Sequence, residues 1–214
     1  MRSAQHGFSL FVVMVMLLLS ALLVIGGART ASILESVAGN QREYQRAFEI
    51  AEAALLDAER DIRQMAFDSS SKTYVACSAL AANSCRKAEG GRVFPDRDTG
   101  WVTAYMNAGA NSCARGICYF SAPDSVAAAL GSEAYRFWTR EAYREQHATY
   151  GQFTGAPDAG IPALARARYW IEVIDRRNAK YPLYRITAVA TGARSDTRVE
   201  LQVSFDPDPV ARLN

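Results

Sequence analysis

The chain has 214 residues, of which 50% are hydrophobic and 21% charged, and it carries a net charge of +2. That length suits one domain with an appendage, and the charge balance removes the electrostatic case for direct nucleic-acid binding. Its apolar and aromatic content excludes a disordered chain, and with only His6 and His147 a multi-histidine metal site is untenable.

The apolar residues are concentrated at one end. From Phe8 to Ala28 no side chain is charged. That run would span ~31 Å as a helix, which matches a hydrocarbon core of ~30 Å. Arg2 precedes it and Arg29 follows it. A positive N-terminal flank keeps that end cytoplasmic and places the remainder outside. A cleaved secretory signal would have an apolar core of only ~7–15 residues and a small-residue cleavage site. A plain signal anchor accounts for length and flank alike. A third reading rests on Gly7 followed by Phe8-Ser9-Leu10. This junction resembles the type IV prepilin cleavage site, where a dedicated peptidase cuts after the glycine.

Cys77, Cys85, Cys113 and Cys118 form an even set, as expected for disulfides in an oxidising space. Three pairings are possible, and the preferred one, Cys77–Cys85 with Cys113–Cys118, closes the shortest loops. The rival is a metal site, but neither pair has the C-x-x-C spacing of a zinc ligand set.

After Arg29 the pattern becomes amphipathic. Tyr44, Phe48, Ala51, Leu55, Ala58, Ile62 and Met65 alternate steps of four and three, and Val37 extends the stripe upstream. Such positions share one helix face. Charged residues between them, Asp57 and Asp61 included, fall on the solvated side. Asp68-Ser69-Ser70-Ser71 ends the pattern, which gives one helix from about Phe8 to about Ala66, ~88 Å long. Gly26, Gly27 and Gly39 are its weak points. The tether rich in Pro, Gly or Ser that an anchored enzyme usually carries is missing from the join.

Alternation with period two marks three strands at about 166–174, 183–191 and 197–205. Tyr169, Ile171 and Val173 form the apolar set of the first. Tyr184, Ile186, Ala188 and Ala190 form that of the second, and Val199, Leu201, Val203 and Phe205 that of the third. They make an antiparallel meander whose buried face should cover the stripe from Phe48 to Ile62. Asp175 to Pro182 and Gly192 to Asp196 are the links. The middle, 67–165, is loop-rich. Glu133–Gln146 reads as a helix with Ser132 as N-cap. Val102–Tyr105 and Tyr119-Phe120 read as short strands, with glycine joints at Gly90-Gly91, Gly109, Gly151 and Gly155. The fold class is α+β, one long N-terminal helix on a small antiparallel sheet with a disulfide-containing middle.

No catalytic motif stands out. There is neither G-x-S-x-G nor H-E-x-x-H, and His147 ends a polar helix, where a solvated histidine is the default. Asp206-Pro207-Asp208-Pro209 lacks the spacing of a calcium loop and reads as a proline-stiffened terminus. The expectation is a non-enzyme with no cofactor and no metal.

The helix also carries Glu35, Ala38-Gly39-Asn40, Arg42, Ala47-Phe48, Ala51-Glu52-Ala53-Ala54-Leu55 and Glu59. This string resembles the signature of PilX-type minor pilins of type IV pili. Tyr184-Arg185-Ile186-Thr187-Ala188, Thr191-Gly192 and the last strand are similar too, as is the segment Cys113–Cys118 with its Gly116. The resemblance covers about 8–60 and 165–205. It implies a type IV pilin-like fold divided into a leader (1–7), a transmembrane half-helix (8–28), an amphipathic half-helix (29–66) and a globular domain (67–214). It implies cleavage between Gly7 and Phe8 and N-methylation of Phe8. It also implies an inner-membrane protein, its body in the periplasm, that enters a pilus at the cell surface. There it would help prime assembly with other minor pilins, the major pilin and a large tip adhesin, supporting twitching, adhesion and DNA uptake. Pilins usually carry Glu as the fifth mature residue, which pairs with an N-terminal amine in the fibre; this sequence has Val12. A subunit with Val12 cannot neutralise a neighbour's amine, which points to a place at or near the tip. The alternatives are a pseudopilin of type II secretion and a membrane-anchored periplasmic enzyme.

Overall fold

The computed structural model describes residues 8–80, 85–86, 94, 112–119, 136–174, 182–193 and 197–207. The expectations for Gly7, Gly90-Gly91, Val102–Tyr105, Gly109, Phe120, Ser132, the first link between strands and Asp208-Pro209 lie outside the described residues. Helix α1 spans Phe8–Ile62, and the chain divides into two compact units, Met1–Glu43 and Tyr44–Asn214. In the first unit the helix is the only described element, and it runs unbroken through Gly26, Gly27 and Gly39.

In the second unit α1 ends four residues earlier than the periodicity suggests. Gln64 takes a left-handed conformation, φ 53°, and the Gln64 N–H donates to the Asp61 carbonyl at 3.0 Å. Such a residue closes a helix because the following chain cannot continue the spiral. Met65 therefore leaves the helix and opens strand β1, Met65–Asp68, which pairs antiparallel with β2, Thr73–Ala76. The Asp68-Ser69-Ser70-Ser71 segment is the turn of this hairpin. The Asp68 carboxylate accepts from the Ser70 N–H at 3.0 Å and the Ser71 hydroxyl at 2.8 Å, the usual way an aspartate tightens a turn.

The main sheet contains β3 (Ser112–Ala114), β4 (Ile117–Tyr119), β5 (Ala148–Thr149), β6 (Arg168–Ile174), β7 (Leu183–Thr191) and β8 (Arg198–Phe205). The order is β3-β4-β6-β7-β8, with β5 beside β4 on the same edge of β6. Strands β6, β7 and β8 form the antiparallel meander read from the alternation. The parallel pairing of β4 with β6 was not read from the sequence. Strands β3 and β4 are joined by Arg115-Gly116, both at positive φ (52° and 82°), which is the two-residue hairpin turn that suits strand twist. A Cβ on Gly116 would lie 2.7 Å from the Ala148 Cβ, so only glycine lets this hairpin lie against β5.

Register places Ile171 opposite Ile186 and Ile186 opposite Val203, with Tyr169, Ala188 and Leu201 in the next row. This is the face that packs on α1. The helix meets it with Ala47, Ile50, Ala51, Ala54, Ala58 and Ile62, all buried. Phe48 and Leu55 are half-buried at the margin, and Tyr44 is 55% exposed. At 100° per residue the buried arc is turned roughly 60° from the bulky stripe expected. Small side chains win because four alanines let the helix backbone lie close to a sheet that already supplies the volume of Tyr169 and Tyr184. The outer sheet face has a second cluster, in which Phe137, Trp138, Trp170, Val189 and Cys118 pack together. It also corrects the expected helix 133–146. Within the described residues a 3-10 turn, Phe137–Thr139, precedes a single helical turn, α2, Glu141–Arg144. Burying both Phe137 and Trp138 in the cluster breaks the helical path.

Replacing Ala51 by Leu forces a larger side chain against β6 and β7. The expected loss is about 1–3 kcal/mol, read as a lower urea midpoint. Glu52→Leu, on the exposed side, is expected to shift stability by no more than about 0.5 kcal/mol.

Candidate functional site

Two regions compete for function, and they have opposite chemistry. In the first unit, Leu10, Phe11, Met14, Leu17, Leu18, Leu22 and Leu23 are exposed, and no acidic residue occupies the first turn of α1. Phe8 opens the helix, and Val12 is 40% exposed. Two hydroxyls of this region are satisfied within the helix: Ser20 donates to the Met16 carbonyl at 2.8 Å and Thr30 to the Gly26 carbonyl at 3.0 Å. Such a surface is stable in lipid, where every polar group needs an internal partner, or against other apolar helices. By length and composition α1 is able to cross a membrane.

The second region is a buried charge cluster under the sheet. Asp57 and Asp61, assigned above to the solvated side, are both buried. One turn apart on α1, they flank the alanine stripe. Arg86 donates from Nε to both Asp61 oxygens at 2.9 Å and from Nη2 to Oδ2 at 2.7 Å. The Tyr169 hydroxyl adds a bond to Oδ2 at 2.9 Å, and Arg86 Nη1 donates to the Arg115 carbonyl at 2.6 Å. The guanidinium lies 3.7 Å from the Phe153 ring centroid, a cation–π contact in a dry site. Burial pushes the Asp61 carboxyl up, against the pull of Arg86 and Tyr169. A buried charge needs such partners, because desolvation of an unpaired ion costs several kcal/mol.

Among the described residues Asp57 has no cationic hydrogen-bond donor. It accepts from the Gly151 N–H at 2.8 Å and from the Thr154 hydroxyl. Gly151 has φ +74°, and a Cβ there would lie 2.6 Å from the Ala156 carbonyl oxygen, so glycine is required for this turn. Burial raises the Asp57 carboxyl to about 6, opposed by the Thr154 and Gly151 hydrogen bonds.

Both disulfides are formed as preferred, Cys77–Cys85 and Cys113–Cys118. The first sits next to Arg86. The second joins directly opposed residues of β3 and β4. His147 packs on Trp170, with Nδ1 3.0 Å from the Arg144 carbonyl oxygen. Among the described residues no group of three or more His, Cys, Asp or Glu side chains is placed to hold a metal ion. Sequence reasoning missed Asp57, Asp61, Arg86, Thr154 and Tyr169. The one available signal was the four-three-four spacing of Ala47, Ala51, Ala54 and Ala58, which places both aspartates beside a tightly packed face.

The family model described as PilX N-terminal matches residues 6–56, and the one described as type IV pilus assembly protein PilX C-term matches residues 81–207. The chain belongs to the PilX family. It is therefore a minor pilin of type IV pili, a structural component in a family that is not one of enzymes. No curated protein and no solved structure matches. In this PilX-family pilin Asp57 and Asp61 lie between the two matched segments, whereas Arg86, Thr154 and Tyr169 lie within the second.

Arg86→Ala leaves Asp61 buried without its cation and is expected to cost about 3–5 kcal/mol, measured by denaturant unfolding in detergent. The double replacement Arg86→Met with Asp61→Leu removes both charges and is expected to recover most of that loss. Asp57 gives a pH prediction. Its folded pKa of about 6 exceeds the ~3.9 of an unfolded aspartate. The folded state then holds the proton more tightly, so this contribution is complete below about pH 4 and is lost as pH rises through about 6. About two pH units amount to roughly 2–3 kcal/mol. Asp57→Asn mimics the protonated group, and its thermal midpoint is expected to fall less than the parent's between pH 4 and 6.5.

Proposed function

We propose that this PilX-family pilin primes type IV pilus assembly from a place at or near the fibre tip. The observation that carries the reading is the bare apolar stretch of α1, Leu10–Ile25, with Val12 where pilins usually present a carboxylate. The prepilin peptidase cuts between Gly7 and Phe8, and Phe8 becomes N-methylated. Before assembly the protein waits in the inner membrane with its body in the periplasm. Its apolar half-helix then exchanges lipid for the helices of other minor pilins and the major pilin, beside a large tip adhesin. The exchange has little cost, since neither surroundings offers more than apolar contact. A terminal subunit has no neighbouring amine to neutralise, so a missing carboxylate does no harm there. In mid-fibre the neighbour's buried amine would cost several kcal/mol without it. The resulting pilus supports twitching and adhesion. Residues 29–62 are helical, where an anchored enzyme would carry a flexible tether.

A deletion strain is expected to lose most surface pili, scored by shearing and immunoblot. In a strain carrying Val12→Glu, immunogold labelling is expected to spread from fibre ends into the shaft. Unchanged piliation in the deletion strain would overturn the priming role, and unchanged labelling would overturn the charge argument for the tip.

A further inference from the structure

The outer face of the main sheet carries an open groove of about 480 Å³, far from the charge cluster under the opposite face. Four guanidinium groups line it: Arg144, Arg166, Arg168 and Arg198. No aspartate or glutamate is among its described lining residues. Arg198 Nη2 lies 2.6 Å from Glu200 Oε1, and Arg144 Nε 3.1 Å from Glu145 Oε1, so the chain's own carboxylates partly satisfy two of the four. Arg166 and Arg168 are exposed and make no ion pair among the described residues. Trp138, at the groove wall, is 6% exposed, and its indole N–H is buried.

We propose that this groove binds an acidic, carboxylate-bearing segment of a neighbouring pilus subunit. The inference rests on the assembly role above and names the chemistry of one of its contacts. Charge complementarity sets the sign of the ligand. The rim itself shows guanidinium–carboxylate pairing, because Glu200 is held by both Arg136 and Arg198. Planar guanidinium groups match carboxylates with two parallel hydrogen bonds. Trp138 and Trp170, 6% and 2% exposed, are buried in the second cluster and offer no ring face to a ligand, and among the described lining residues His147 is the one partly exposed aromatic side chain. The volume falls within the ~300–1,000 Å³ of a compact ligand site, enough for a few residues of an extended chain. Thr139, Thr149 and Thr191 add hydroxyls along the lining for its backbone.

The test uses the full-length protein in detergent micelles and a fluorescent penta-glutamate peptide, followed by polarisation. Penta-glutamine, an oligothymidylate of equal charge and a heparin-derived tetrasaccharide serve as comparisons. Penta-glutamate is expected to bind best and to weaken with added salt. Arg166→Glu with Arg168→Glu is expected to reduce its affinity about tenfold or more, with an unchanged thermal midpoint. Should the charge reversal unfold the body, Arg166→Gln with Arg168→Gln is expected to give about a threefold loss. Equal binding of all three polyanions, no binding of penta-glutamate, or affinity undiminished in a folded variant would overturn the proposal. In cells, lost recruitment of the folded double variant into pili supports the groove. Normal recruitment of that variant, in a strain background where deletion abolishes piliation, sinks the groove but not the assembly role. Normal piliation on deletion sinks the assembly role itself.

Discussion

The carboxylate of Asp61 lies buried between a helix and a sheet, and the body is organised around satisfying its oxygens. Three partners from distant parts of the sequence converge on it or on its cation: Arg86, the hydroxyl of Tyr169 and the carbonyl of Arg115. Each belongs to a different element. One buried ion therefore ties α1, the loop after β2, the β3–β4 hairpin and β6 into a single arrangement. An apolar residue would fill the same volume with less desolvation cost, but it would not distinguish one docking of these segments from another. Four residues earlier, Asp57 plays a softer version of the part, holding the Gly151 turn through neutral donors alone.

The same helix carries two surfaces made for different surroundings. In the first unit its leucines, valines and methionines are exposed among the described residues. In the second Ala47, Ala51, Ala54 and Ala58 are entirely covered. Chain composition changes between the two without a break in the backbone hydrogen bonds. Burial in the second unit depends on small volume and close approach, whereas the first offers large, exposed apolar side chains. A pilin needs both, since one part must keep a fixed shape while the other changes company.

Much of this was legible in the sequence. The uninterrupted apolar run reads as helix and the alternation within β6, β7 and β8 as strand, and these elements were found where they pointed, although the one-sided burial expected of the strands gives way to burial on both faces of β6 and β7. The buried arc of α1 was not, because bulk was taken as the mark of burial. Tyr44 was counted inward and is exposed, while Asp57 and Asp61 were counted outward and are buried. Charge on a helix ordinarily means solvent. What reverses the rule here lies 25 residues away for Arg86 and 108 for Tyr169, beyond any local periodicity. The parallel pairing of β4 was hidden for a related reason. Three residues, Ile117 to Tyr119, are too short to show a period, and their partner strand is more than fifty positions on. The expected helix near Glu133 failed where Phe137 and Trp138 turn into the outer cluster, an attraction visible only once β6 and β7 supply Trp170 and Val189.

The bond between Cys77 and Cys85 ends one residue before Arg86. The bridge shortens the covalent path from the β1–β2 hairpin to Arg86, and so lowers the conformational freedom that the arginine gives up on reaching Asp61. A sulfur–sulfur bond that touches neither partner thus favours their pairing through the entropy of the unfolded chain.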